Sequence, residues 1–455
     1  MRYVDWLQQH QAADGRLNDF LSVYDGRILL GDEVDLLALA EQHGTPLEIA
    51  YCPQIAYRIA AMRAAFRQGA AASGYRGGFR YAYASKANVV AEVVTTALST
   101  GADYELSSNY DVIIARQLWQ RGQISANQWV YANGSKSDGY LQRLIDLRMA
   151  GMEQIIPVID DPTEFEVLSH CQLPFRFGIR LRSATGGGGR FGVSDETALD
   201  LTKAIAASHH QLVMLHSMVG SQIEDHDNLI DGLERALPVY AAARTITPEL
   251  TVLNFGGGFP TTAYQLHDQF DYAERARQIQ AEVGAWCDAN GVPHPELAGE
   301  FGRYTVADYG ALIFRVGRVK PATDNLPWYL VDGSLMVAMP DLLIVPGQEF
   351  ITLALNHWEQ PAQPVRLGGR ATCDSDDYYP KQGELWLPTA GTGLLVAFFG
   401  TGAYQSMLSG EGGAHHCLTP EARKIILRHQ DGKLHTTIIP EQSDSDVLAE
   451  LGYRF

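Results

Sequence analysis

The chain has 455 residues, 46% apolar and 19% charged, with 35 lysines and arginines against 53 aspartates and glutamates. A net charge of −18 argues against nucleic acid and anionic membrane as partners, and the apolar content excludes a disordered chain. The length suits two domains and a large core.

Residues 1–45 predict an opening helix, a strand at 27–30 and a helix at 34–43, and Leu47 to Tyr51 reads as a further strand. From about 54 to 312 the pattern alternates. Helical segments at 54–70, 89–99, 109–121, 137–150, 196–208, 226–245 and 270–290 separate eight short apolar runs, at 79–84, 103–106, 128–131, 154–158, 176–182, 211–216, 251–254 and 296–299. Eight strands alternating with helices predict an α/β protein built on a (β/α)8 TIM barrel. The glycine run 186–189 reads as a mobile barrel loop. After about 313 helical periodicity fades, and strand-like runs at 328–331, 350–354, 364–372, 384–386, 393–398 and 434–439 predict an all-β domain. The expected division is 1–45, a segment packing on the β domain, then 46–312, then 313–455. No apolar run approaches the ~18 residues of a membrane helix. The start of the chain lacks the apolar core of a signal peptide. Cys52, Cys171, Cys287, Cys373 and Cys417 are an odd number without metal-ligand spacing, which suggests free thiols in a reducing cytoplasm and no metal.

Several residues at strand ends carry chemical possibilities. Lys86 follows the run 79–84 and precedes a helix. It is either a solvated surface charge or an amine made nucleophilic by desolvation and suited to Schiff-base chemistry. Gly256-Gly257-Gly258 follows the strand at 251–254. It is either a flexible turn or a cradle of unobstructed N–H groups for phosphate. Glu300 and Arg303 are either a structural ion pair or a carboxylate for a pyridinium nitrogen beside a guanidinium for phosphate. Cys373 with Asp374 could give a proton donor beside a cation anchor, although a lone cysteine usually only packs. Tyr404 offers a phenol or simple packing.

Taken together and in this order, the motifs resemble the fold-type III pyridoxal-phosphate decarboxylases, the ornithine/diaminopimelate/arginine group. The motifs are Tyr83-Ala84-Ser85-Lys86-Ala87-Asn88, Val219-Gly220-Ser221-Gln222, Gly256-Gly257-Gly258-Phe259, Glu300-Phe301-Gly302-Arg303, Cys373-Asp374-Ser375-Asp376 and Gly402-Ala403-Tyr404. The resemblance spans about residues 45 to 405. It implies an alanine-racemase-like barrel with pyridoxal 5'-phosphate held on Lys86 through a Schiff base. Ser221, Gly258, Arg303 and Tyr404 would contact the phosphate, with Gly257 and Gly302 completing the cradle. Glu300 would pair with the pyridine nitrogen, and Glu105 would lie near the Lys86 amine. Cys373 would protonate the carbanion after carbon dioxide leaves. In the family Cys373 and Asp374 come from the second subunit, so a homodimer is implied. One position departs from the pattern. Met218 stands where the family usually has a ring-stacking histidine, and His216 lies two residues before it, on the same strand face.

Four stretches look most like biosynthetic arginine decarboxylases: 132–136, 187–192, 332–341 and 372–376. The chain is shorter than that family, and its Lys-Ala-Asn element is closer to diaminopimelate decarboxylases. Asp341 and Asp374 would suit a cationic side-chain end, unless they are helix caps or exposed turn acids. The expectation is decarboxylation of a basic amino acid, arginine to agmatine first, then diaminopimelate, ornithine or lysine. A racemase or an enzyme of a derivatised amino acid on the same fold, and a non-catalytic cofactor-binding barrel, are the other two classes.

Overall fold

The computed structural model describes residues 1–182, 189–266, 269–321, 324, 326–379 and 384–453. Glycines 186–188, read above as part of a barrel loop, lie outside the described residues. The chain divides into two compact units.

One unit comprises Ala56–Pro260 and Phe270–Thr305. Its eight strands are Phe79–Ala84, Asp103–Leu106, Val130–Ala132, Ile155–Ile159, Arg176–Leu181, Gln211–Ser217, Val252–Asn254 and Glu296–Phe301. They close a barrel in chain order, with the last strand beside the first through Glu300 and Ala82. Every pairing is parallel. This is the (β/α)8 barrel that the alternation predicts. Parallel strands covered by helices on the outside are buried on both faces, which is why they read as short continuous apolar runs. The third strand starts at Val130 rather than 128 because Gln128 turns its side-chain amide onto Leu98 O and Ala102 O, and the Trp129 N–H goes to Asp103. A seven-residue helix, Pro162–Leu168, was not legible in the periodicity; Asp161 caps it by accepting from Thr163 N.

The barrel interior packs Ala82, Ile156, Val158, Met214, Val252 and Ala298. At the strand N-termini Arg80 donates to Asp103 at 2.8 and 3.0 Å, the Tyr131 hydroxyl donates to the same carboxylate, and Arg80 lies 4.2 Å over the Trp129 ring. A charged pair satisfied this fully closes one end of the barrel and leaves the C-terminal strand ends for chemistry.

The other unit comprises Met1–Ile55, residues 261–269 and Val306–Phe455. Its ten-stranded sheet is built around the long strand Gly310–Lys320, which pairs with Leu47–Tyr51, Trp328–Val331 and Leu395–Phe399. Leu47–Tyr51 also pairs in parallel with Arg423–Leu427. The contact boundaries therefore fall at 55 and 305, not at 45 and 312, because the strand just after Pro46 hydrogen-bonds into this sheet. Residues 261–269 join the same unit, with Tyr264 edge-on to Phe350 at 5.7 Å. The opening segment packs Tyr3, Leu7, Phe20 and Leu36 into the same core, and the Tyr3 hydroxyl accepts from Ala354 N.

Candidate active site

The first barrel strand ends in a single turn, Ser85–Ala87. Ser85 and Ala87 are buried, whereas Lys86 between them is exposed and lines a cavity of about 750 Å3. Of the two readings of Lys86, the structure gives an exposed side chain at the strand end. The turn pushes the amine out of the packed layer and into the cavity.

Glu105, His216, Met218 and Glu300 line the same cavity. They come from the ends of the second, sixth and eighth strands, as barrel geometry dictates. Glu300 is 8% exposed. Its Oε1 accepts from Asn254 Nδ2 at 2.7 Å, and both its oxygens lie within 3.1 Å of Asn133 Nδ2. Burial, the largest influence, would raise this carboxyl, but the opposing charges and the amide donors outweigh it and leave Glu300 below the ordinary range. Burial lowers His216 to about 4, so its imidazole is neutral at physiological pH. The amides and Lys86 are then what hold Glu300 ionised. Glu105 is shifted the other way, raised by burial first and by the neighbouring Glu300 charge second, against the pull of Lys86 and Asn133. Two carboxyls in one pocket are thus driven apart in charge.

The glycine run is fixed against this cluster. Asn254 Oδ1 accepts from Gly256 N at 2.8 Å, and Glu300 N donates to Gly256 O at 2.7 Å. Gly258 has a φ of +113°, and a Cβ there would lie 3.2 Å from Gly220 O. A Cβ on Gly257 would come within 2.7 Å of Glu300 O, and one on Gly302 within 2.9 Å of the Ala87 Cβ. The Ile223 N–H donates to Gly258 O, which ties the run to the loop carrying Ser221, itself exposed. Arg303 follows directly and opens a short helix. The Met218 thioether accepts from Gly257 N at 3.2 Å, so the side chain at the departing position is engaged by the glycine run. Gly257→Ala should shift that backbone and cost about 1–3 kcal/mol of stability by overpacking, measured by denaturant unfolding.

Asn133 and Asn254 were not singled out in the sequence as site residues, nor were Arg180, Arg190 and Phe191, which also line the cavity. The signal for the asparagines was a polar residue ending an apolar strand. Behind Asn133, Lys136 is buried and donates to Gly134 O, Val158 O and Glu164 at 2.6 to 2.9 Å. Arg180 and Arg190 lie 4.7 and 4.6 Å from the Phe191 ring.

Four predicted residues belong to the sheet unit. Cys373 is half-buried and Asp374 exposed. The strand expected to run to 372 ends at Gly368, and the following loop is drawn in by buried Asp376, which accepts from Ala371 N, Ser334 Oγ and Met336 N. Asp341 is buried at the start of a short helix and accepts from Gln405 Nε2 at 2.9 Å. Tyr404 adopts a φ of +69° ahead of the helix Gln405–Ser409. Among the described residues no group of three His, Cys, Asp or Glu could hold a metal ion, and no helix is long and apolar enough to cross a membrane.

Pyridoxal phosphate fits the barrel site. Among the described residues Glu105 Oε2 and both ring nitrogens of His216 are buried without a hydrogen-bond partner beside Lys86 and Glu300, and next to them the backbone of Gly257, Gly258 and Gly302 packs too closely on its neighbours for side chains.

The chain is 27% identical to arginine decarboxylase 1 of Oryza sativa subsp. japonica over 323 residues, 63% of this chain and 45% of that protein. It is 25% identical to the biosynthetic arginine decarboxylase of Xanthomonas campestris pv. campestris over 326 residues, 66% and 51%. It spans about half the length of the curated relatives it matches. In fold it is similar to the biosynthetic arginine decarboxylase SpeA from Campylobacter jejuni, with a TM-score of 0.83 at 19% identity over 97% of this chain and 90% of that one. Diaminopimelate decarboxylase from M. jannaschi follows at 0.77 and 19%, over 95% and 98%. A family model, "Pyridoxal-dependent decarboxylase, pyridoxal binding domain", matches residues 61–307. That stretch is more than half of the chain and contains all eight barrel strands, and the chain belongs to the pyridoxal-dependent decarboxylases.

Proposed function

We propose that this protein decarboxylates a basic amino acid, arginine to agmatine first, as a homodimer in the cytoplasm. The observation that carries the reading is Lys86 and an ionised Glu300 facing one cavity, with the glycine run tied to Asn254 and to the Glu300 backbone. The arginine decarboxylase relatives support the choice of substrate. Free thiols support the compartment, and the charge of −18 speaks against nucleic acid.

When bound, pyridoxal phosphate supplies an electron sink for the pair left behind as carbon dioxide departs. Lys86 Nζ would hold it covalently, with an amine already turned into the cavity. Glu300, kept anionic by its amides, would hold the proton on the ring nitrogen. Gly258, Ser221, Gly302 and Arg303 would receive the phosphate, Gly257, whose N–H goes to the Met218 sulfur, would shape the turn beside them, and Tyr404 is assigned to the phosphate by family likeness. Met218 would pack on the ring with its thioether, worth roughly 0.3–1.5 kcal/mol. His216, neutral and without a hydrogen-bond partner among the described residues, would accept or donate one hydrogen bond there. Glu105, close to the Lys86 amine in charge and space, would exchange a proton with it. Arg180 and Arg190 give the cavity a positive wall that suits the substrate carboxylate. Cys373 Sγ would return a proton to the α-carbon.

Asp374 is assigned as the anchor of the substrate's cationic end, and its exposure leaves the carboxylate free for that contact. Asp374→Asn should lose one charge-assisted contact of about 1.5–3 kcal/mol, roughly tenfold to a hundredfold in kcat/KM for arginine, with cofactor binding spared. Asp341, already bonded to Gln405, should respond less. Unchanged kinetics in Asp374→Asn would reject it as the anchor. The decisive experiment is carbon dioxide release across arginine and the L- and D-diamino acids. Release from none of them, with product analysis showing racemisation, would favour the reading that Met218 motivates, an altered reaction on the same fold.

A further inference from the structure

Asn133 holds a place that neither Lys86 nor Glu300 explains. Its single amide nitrogen lies 3.0 Å from Glu105 Oε1, 3.1 Å from Glu300 Oε1 and 3.0 Å from Glu300 Oε2. The opposite orientation would set its oxygen against two acceptors, so the amide has only one workable direction. Its own Oδ1 is buried and has no hydrogen-bond partner among the described residues. The backbone around it is fixed: Asn133 N donates to Leu106 O, and buried Lys136 clamps Gly134 O to Val158 O and Glu164. A side chain pinned this firmly while leaving one of its own atoms unsatisfied is held there for its donor.

We infer that Asn133 is a positioning residue that divides charge between the two carboxyls. By donating to both oxygens of Glu300 and to one of Glu105, and with Asn254 adding a third contact to Glu300, it makes Glu300 the anion and leaves Glu105 the member that keeps a proton. Among the described residues the other charged or titratable groups acting on the pair are Lys86, His216, Asp111, Tyr104 and Tyr140, and Arg180 acts on His216. None of them bridges the two carboxyls as this amide does. In a loaded site the division gives Glu300 the charge that a protonated ring nitrogen requires, which rests on the function proposed above. In the cofactor-free protein it acts alone. Because Glu105 holds its proton to higher pH folded than unfolded, the stability this contributes is complete below the ordinary carboxyl range and is lost as pH rises through the raised value.

The test is Asn133→Asp, which keeps the shape and replaces the donor by a third acid, with Glu105→Gln and the double variant beside it. In the cofactor-free protein, melting temperature is followed from pH 6 to 9. Asn133→Asp should lose more stability towards pH 9 than the parent, and Glu105→Gln should remove most of that excess. In parallel, pyridoxal phosphate is titrated into each protein, and the pH midpoint of its visible band is read. The variant should bind at least about tenfold more weakly and move the midpoint by about one unit, the equivalent of that factor. A purely structural asparagine would lower melting equally at every pH and leave the midpoint in place, and that outcome overturns the inference. If the parent takes up no pyridoxal phosphate, the proposed function fails, whereas the melting series still decides the role of Asn133.

Discussion

Lys86→Ala should yield a folded protein that takes up pyridoxal phosphate weakly and cannot be labelled with it. In the parent, borohydride should fix the cofactor to the peptide containing Lys86; in the variant no peptide should carry it. Decarboxylation should fall by about a thousandfold or more, ~4 kcal/mol at 1.36 kcal/mol per decade. Without the amine, the cofactor is no longer captured covalently and the substrate no longer displaces a good leaving group. The fold should tolerate the change, because Lys86 is exposed and the buried residues of its turn are Ser85 and Ala87. Equal melting temperatures for the two proteins would establish this. A parent that shows no visible band and no labelled peptide would sink the proposed function altogether.

Mixing Lys86→Ala with Cys373→Ala should restore activity that neither protein has alone. If each site takes Lys86 from one subunit and Cys373 from its partner, random exchange makes about half of the dimers mixed. Each mixed dimer has one intact site of two, so the mixture should reach about a quarter of the parent rate, as two-fold symmetry requires. The measurement is carbon dioxide release after subunit exchange has been verified by mass spectrometry of differently tagged chains. Exchange without recovery would put both residues in one chain and remove the homodimer from the proposal.

The barrel was legible because each strand is buried on both faces and flanked by a helix, so composition and length alone mark it. The strand Gly310–Lys320 was not, because its apolar start, Ala311 to Phe314, is as compatible with a buried helix as with a strand. Arg423–Gln430 was missed for a similar reason: three apolar residues in a row between charges show no alternation. The motif residues Lys86, Glu300 and the glycine run were found because each is an unusual residue at a strand end. Asn133 and Asn254 were harder to see. An asparagine ending a strand reads as a turn former, and only the folded barrel brings both amides onto Glu300. In the loop at 369–376 the first four residues, 369–372, were misjudged as strand because the residue that bends them, Asp376, acts from beyond them.

That loop separates what can change from what cannot. Asp376 holds it from beneath through Ala371, Ser334 and Met336, while Asp374 and Ser375 are exposed. Substitutions at 374 and 375 should therefore be nearly neutral for folding, and substitutions at 376 should not, since breaking a buried charged hydrogen-bond set leaves its donors unsatisfied. A mount of this kind lets lineages, or a library randomised at two codons, explore new preferences for the far end of a ligand while the scaffold beneath is inherited intact.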